Sequence, residues 1–275
     1  MIARTLVLSL LLLSSCSFAQ PKSISQSLNV ALSEHDKAEL VNVLRERNDL
    51  LSSGRVGAKG KVSYSALTRS FFLSTVFLRP NSIRSELFFS ESNQLVFIVT
   101  SSLLGTAAYD ARSNNYYRAE NEVMAVKAFF GAPFNAEELA LWLMGSFVPD
   151  ADKEIAAFVD SNGNKVLSLE NLSGRVVYLV FDESMRVASM EVWEGGEFII
   201  QTRYSYKELG TTCSSLALPV GLQIELLKQD LNVDLQVQRC TTNDPRLKPD
   251  SRLFNLAIPS NAKTFEVKPS QMQAW

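Results

Sequence analysis

Hydrophobic positions along the chain change period twice, and the changes divide it into elements. Leu40, Val43, Leu44, Leu50 and Leu51 recur at helical spacing, while Arg45, Glu46 and Arg47 take the opposite side. Ser33 stands where an N-cap is needed, with Asp36 three positions on, so a surface helix is predicted from residue 33. From Gly54 the period is two. "KVSYSAL", "RSFFLSTVFLR", "NSIRSELFF" and "NQLVFIVTS" are strand candidates rich in β-branched and aromatic residues, separated by short turn segments. They predict an antiparallel meander, completed by residues 106–110 and "NNYYRA".

Two helices should then interrupt the sheet. One is expected over residues 122–130, capped by Asn121 and stopped by Gly131 with Pro133 beyond. The other, "NAEELALWLMG", has Asn135 as N-cap, Glu138 as its capping partner and Gly145 at its end. Leu139, Leu141, Trp142, Leu143 and Met144 make it apolar around nearly its whole circumference, which requires burial on more than one side. It is either sandwiched in the core or a lid with one face on an apolar ligand.

Seven further strands are predicted from "EIAAFVD" to "NVDLQVQ", and several alternate cleanly. Phe198, Ile200, Thr202, Tyr204 and Tyr206 share one face, with Gln201, Arg203, Ser205 and Lys207 on the other. Val233, Leu235 and Val237 likewise oppose Asp234, Gln236 and Gln238. A curved antiparallel sheet with one dry and one wet face follows. The first strands differ: Phe71, Leu73 and Phe77 oppose Phe72, Val76 and Leu78, and "LVFIV" is apolar on both faces. Either helices cover one side and an opposing sheet the other, or the concave face holds more apolar surface than its helices fill, leaving a cavity.

Residues 1–15 carry one basic residue, Arg4, and an apolar run, residues 6–13, too short to span a bilayer. This is a secretory signal pattern. Its end allows cleavage after the A-x-A-like Ser17-Phe18-Ala19, or processing at Leu13-Ser14-Ser15-Cys16, which resembles the bacterial lipobox in which the cysteine takes a diacylglycerol. Lipid on Cys16 is the expectation, followed by a flexible tether over residues 16–32. Ser17 after that cysteine implies the outer membrane. The full chain has 27 basic and 29 acidic residues; without the leader 26 and 29 remain, a net of about −3. No basic block occurs, which argues against a nucleic-acid partner. With Cys16 acylated, Cys213 and Cys240 form an even pair in an oxidising compartment, and a structural disulfide is expected between them. Two free thiols or a redox pair are the alternatives.

Motifs for catalysis are scarce. The one histidine, His35, falls in the first turn of the surface helix, and no G-x-S-x-G, H-E-x-x-H, Walker or G-x-G-x-x-G motif occurs. Asp160, Asp182 and Glu183 lie at strand ends, where solvated turn carboxylates are common, although two of them could make a glycosidase pair. No enzymatic activity and no metal are expected.

Taken together, the lipobox, amphipathic helix, strands, two short helices and further strands resemble the LolA/LolB-like lipoprotein carriers, most nearly the LolB-like outer-membrane lipoproteins. The likeness rests on "LSSGRVGAKGKVSYSA", "RPNSIRSELFF", "FFGAPFNAEELALWLMG" followed by "SFVP", and the closing "LFNLAIPSNAK". It implies a mainly β (α+β) fold over residues 33–267: a curled antiparallel sheet forming an incomplete, half-open barrel with a helical lid. The cavity would hold acyl chains of lipids or lipoproteins, with Phe72, Val76, Leu87, Phe97, Leu139, Trp142 and Leu143 as lining candidates. It further implies a monomer facing the periplasm from the outer membrane, membrane lipid and a LolA-like carrier as partners, and no cofactor beyond the acyl lipid on Cys16. Leu103 and Leu104 could form the family's membrane-facing loop, although strand counting puts that loop nearer residues 88–94. Otherwise the two leucines begin a strand and are buried. A structural or envelope-assembly lipoprotein without cargo is the rival reading. The terminal Trp275 also fits a transmembrane barrel, but the helices and the wet strand faces argue against one, and residues 268–275 are expected to form a tail.

Overall fold

A computed structural model describes residues 23–65, 67–103, 105–119, 134–149, 154–171, 174–206, 218–248 and 252–267. In chain order the elements are β1 (Leu28–Ala31), α1 (Glu34–Asp49), β2 (Ser53–Tyr64), β3 (Leu67–Leu78), β4 (Ser82–Phe89), β5 (Leu95–Ser102), β6 (Gly105–Asp110) and β7 (Asn115–Ala119). After α2 (Ala136–Leu143) come β8 (Glu154–Asp160), β9 (Lys165–Glu170), β10 (Arg175–Phe181), β11 (Val187–Glu194), β12 (Glu197–Ser205), β13 (Gly221–Leu226), β14 (Leu231–Thr242) and β15 (Lys263–Val267). The helix expected over residues 122–130 and the tail, residues 268–275, lie outside the described residues.

All the strands join one 15-stranded sheet, ordered β1-β8-β9-β10-β11-β12-β13-β14-β2-β3-β4-β5-β6-β7-β15. Two antiparallel meanders, β2–β7 and β8–β14, are fused where β14 pairs with β2. Among the described strands only β15 runs parallel to its neighbour, β7. The edge strands β1 and β15 do not pair with each other, so the sheet curls without closing, as expected of the half-open barrel. Its concave face holds the main core. There Leu40 and Leu44 of α1 and most of α2 meet Phe71, Leu73 and Phe77 of β3 and Leu167, Val177, Met190 and Ile200 of the second meander. Each such side chain, fully buried, contributes about 1.5–3 kcal/mol.

The convex face is less wet than alternation predicts, because residues 23–32 and residues 244–248 and 252–254 fold over it. Residues 23–32, expected to belong to the tether, instead form a short 3-10 turn (Ile24–Gln26) and the edge strand β1. Ile24 packs on Val166 and Val180. Beneath this segment Glu191 is fully buried, accepting from the Ile24 amide (2.9 Å), the Ser23 hydroxyl (3.1 Å) and the Trp193 indole (3.2 Å). Gln201, assigned to the wet face, is therefore buried beside it. The sequence hid this docking because its anchor, a lone glutamate at an outward position, is indistinguishable from a solvated one.

Burial raises the Glu191 carboxyl above its ordinary range, against the lowering effect of those donors. A carboxyl whose folded-state pKa is raised gives its full stability below the ordinary carboxylate range and loses it as pH climbs through the raised value. Relative to Glu191→Gln, the native protein should therefore gain thermal stability as pH falls from neutrality towards that range. A difference in melting temperature that stays flat with pH would rule this out.

The C-terminal end covers the other half. Leu247 and Phe254 pack on Val76, with Leu78 and Leu253 alongside. Arg55 of β2 and Arg246 both donate to the Asp244 carboxylate, and Arg84 donates to the Leu253 carbonyl (3.1 Å). The two-sided apolar character of β3 thus arises from a strap of chain over its outer face, not from an opposing sheet.

Candidate functional site

Alternation along β3 turns Arg69, Phe71 and Leu73 to the concave face, and the register places Val62 of β2 opposite Arg69, and Leu87 and Phe89 of β4 opposite Leu73 and Phe71. Past β2 the lining continues along the sheet to Leu231, Val233 and Leu235 of β14 and Ile224 and Leu226 of β13. These walls enclose a cavity of about 670 Å³, within the ~300–1,000 Å³ span of small-molecule sites. Among the described residues its lining is apolar except for Ser85, Arg69 and Arg112. Gly60 makes room for the Phe71 ring: a Cβ there would collide with it and with Leu235.

Helix α2 supplies the remaining wall through Leu139, Trp142 and Leu143. Its ends form as the sequence specifies. Asn135 and Glu138 make a reciprocal capping box. At the other end Gly145, with φ of +66°, closes a Schellman turn in which the Ser146 and Gly145 amides donate to the Leu141 and Trp142 carbonyls. The helix is fastened to the sheet along its length. The Trp142 indole donates to Thr202 (2.9 Å), the Tyr204 hydroxyl donates to the Trp142 carbonyl (2.9 Å), and Arg47 donates to the Met144 carbonyl (3.2 Å). Burial raises the Tyr204 hydroxyl well above its ordinary value, so it stays a donor at physiological pH. Glu138 forms a buried ion pair with Arg175 of β10, and Arg79 bridges Glu137 and the Asn48 carbonyl. Both sequence readings of this helix hold in part: it is sandwiched in the core and also faces the cavity. These hydrogen bonds and the ion pair hold it as a wall of the cavity.

Antiparallel connectivity puts the β2–β3, β4–β5, β6–β7 and β13–β14 turns at one end of this half of the sheet. The cavity opens there, since Arg69 and Arg112 line it and are themselves exposed. Tyr64 and Leu67, paired at the tip of the β2–β3 hairpin, are 55% and 65% exposed beside that mouth.

Of the lining candidates, Leu87, Leu139, Trp142 and Leu143 meet in the cavity. Three others do not. Phe72 and Val76 lie on the convex face, Phe72 under the Lys59 ammonium and Val76 under the C-terminal strap. Because both faces of β3 are apolar, composition could not fix which phase points inward. Phe97 shares the register of Leu87 but is displaced from the lining by a register shift between Leu87 and Phe88, and Val96 takes its place. Arg69 was missed; its only signal was being in phase with Phe71.

Leu103 is exposed, not buried, in the β5–β6 turn, at the end of that hairpin away from the mouth. Leu104, Cys16 and Cys213 lie outside the described residues. Cys240 is disulfide-bonded. Asp160 and Asp182 are occupied in turns, Asp160 accepting from the Asn162 and Asn164 amides and Asp182 from those of Ser184 and Arg186. His35 is exposed on α1. Among the described residues no group of three or more His, Cys, Asp or Glu side chains is arranged to hold a metal, and no helix is long and apolar enough to cross a membrane.

No protein-family model matches the sequence, and no curated protein matches it. Solved structures do match in three dimensions. A LolA superfamily protein from Nitrosomonas europaea has a TM-score of 0.56 at 11% identity, covering 83% of this chain and 99% of its own. A domain described as outer membrane lipoprotein-sorting, from Vibrio parahaemolyticus, has a TM-score of 0.55 at 12% identity, with 79% and 97% covered. A DUF1329 family protein from Desulfovibrio piger has a TM-score of 0.51 at 10% identity, with 77% and 94% covered.

Proposed function

We propose that this chain, which has the LolA-superfamily fold, is an envelope lipoprotein that binds acyl chains of lipids or lipoproteins in its cavity and takes part in their transfer. The observation carrying this reading is the apolar cavity itself, walled by Leu87, Leu139, Trp142 and Leu143 and open at the end that bears exposed Tyr64 and Leu67. Each methylene taken from water into such a cavity is worth about 0.8 kcal/mol. A chain can therefore pass between carriers without external energy wherever the receiving cavity binds more tightly. The anchor is a diacylglycerol on Cys16 in the outer membrane, the body faces the periplasm as a monomer, and Cys213 is the partner of Cys240. The partners are membrane lipid and a soluble carrier of the same fold. The exposed apolar hairpin at the mouth, rather than Leu103, is the surface that meets the donor or acceptor membrane.

Native mass spectrometry of the full chain, extracted gently from membranes, tests both halves. Co-purifying acyl lipid and an acyl mass increment at Cys16 are expected. An empty protein that also ignores added fatty acid would sink the cavity reading in favour of a structural role. A chain without the increment would sink the anchor.

A further inference from the structure

One cavity residue conflicts with the purpose of an apolar pocket. Arg69 occupies an inward position of β3, two residues before Phe71 and opposite Val62, where alternation calls for an apolar side chain. A structural role for an inward arginine would ordinarily be an ion pair. The other charged lining residue, Arg112, has one, with its Nε and Nη2 on the two Asp110 carboxylate oxygens (3.1 and 3.3 Å). Among the described residues Arg69 has no carboxylate partner; its guanidinium lies over the Phe89 ring at 5.7 Å from the centroid. That stacking holds the cation at the rim and leaves its in-plane N–H donors unspent. Beyond it the wall is apolar down to α2, apart from Ser85. Among the described residues the cavity is thus amphiphile-shaped, with a greasy interior and one uncommitted planar cation at the entrance.

We propose that Arg69 is a headgroup-recognising residue, and that the ligand class is an anionic amphiphile whose tail fills the cavity while its phosphate or carboxylate sits on the Arg69 guanidinium. This rests on the acyl-binding reading above and adds a charge requirement that the reading lacks. A guanidinium matches phosphate and carboxylate bidentately, and its weak hydration lowers the cost of leaving water. Phe89 orients it in advance, so little side-chain entropy is lost on binding.

The test holds the tail constant. Dodecyl phosphate, dodecanoate, dodecanol and dodecyltrimethylammonium are titrated calorimetrically into the full chain carrying Cys16→Ser. The two anions should bind about tenfold more tightly than the alcohol, and the cation more weakly than the alcohol. In Arg69→Gln the anion-to-alcohol ratio should fall to near one, while Arg203→Gln, an exposed arginine paired with Glu225 on the convex face, keeps it. Equal binding of all four ligands to the parent protein overturns the headgroup role and leaves the cavity reading standing. Binding of none overturns both. An anion preference that survives Arg69→Gln overturns the assignment to Arg69. Whichever anion binds more tightly identifies the headgroup chemistry.

Discussion

Replacing Leu87 with glutamate is expected to leave the protein folded and to weaken acyl-chain binding by more than about 100-fold, because a carboxylate buried against an alkyl chain with no partner costs several kcal/mol. Leu87 is suited to the experiment because it is only half-buried and faces the cavity. In the ligand-free protein the new carboxylate can keep its water. Trp142 is the poorer choice. It is packed edge-on against Phe134 (5.1 Å between centroids) and donates to the fully buried Thr202, so a charge there would unfold the wall along with the site. Displacement of a fluorescent fatty acid reads the effect. Leu87→Met, which conserves volume, should bind as the parent does. A glutamate variant that binds normally would show that the chains lie elsewhere.

Glu138→Ala should damage the fold severely. It removes the carboxylate facing Arg175, whose side chain is 9% exposed, and also the half of the capping box in which Glu138 accepts from the Asn135 amide (3.1 Å). Breaking a buried ion pair from one side costs about 3–5 kcal/mol, since the other charge stays desolvated. For a chain of this size that is a melting-temperature drop on the order of 10 °C. The double replacement Glu138→Leu with Arg175→Met should recover much of the loss, because it removes the stranded charge along with the pair. Thermal unfolding followed by circular dichroism distinguishes these outcomes. A loss below about 1 kcal/mol for the single variant would mean that α2 is held mainly by its apolar contacts.

The helices were legible where their ends carry chemistry: Ser33 caps α1 through the Asp36 amide, and Asn135, Glu138 and Gly145 delimit α2. Strands that alternate, such as β14, showed their inward faces directly, and a curved antiparallel sheet followed from the alternation. In β12 the inward set holds from Ile200 to Tyr204, but a register shift pairs Phe198 with Trp193 instead. What could not be read was anything decided by a segment arriving from far along the chain. The strap over Val76 and the N-terminal turn over Gln201 each reverse the exposure that local pattern assigns, across 168 residues in the case of Ser23 and Glu191. Pattern alone put Phe72 rather than Phe71 in the cavity, and the strap over Val76 shows that the Phe72 face is the outer one. Arg69 was not legible as a site residue because an arginine near the start of a strand reads as solvent-facing, although its phase with Phe71 was visible.

The docking of Ser23 on the convex face has a mechanical consequence. With Cys16 acylated, only residues 17–22 separate the lipid from a fixed point on the barrel wall, and six residues at full extension reach about 20 Å. The twelve residues of β2 alone span about 40 Å. The leash is therefore shorter than the body is tall. So anchored, the molecule could tilt and swivel on its membrane but could not stand off from it by more than that leash. Cargo would have to be delivered to it, and its own contribution would be the last few ångströms.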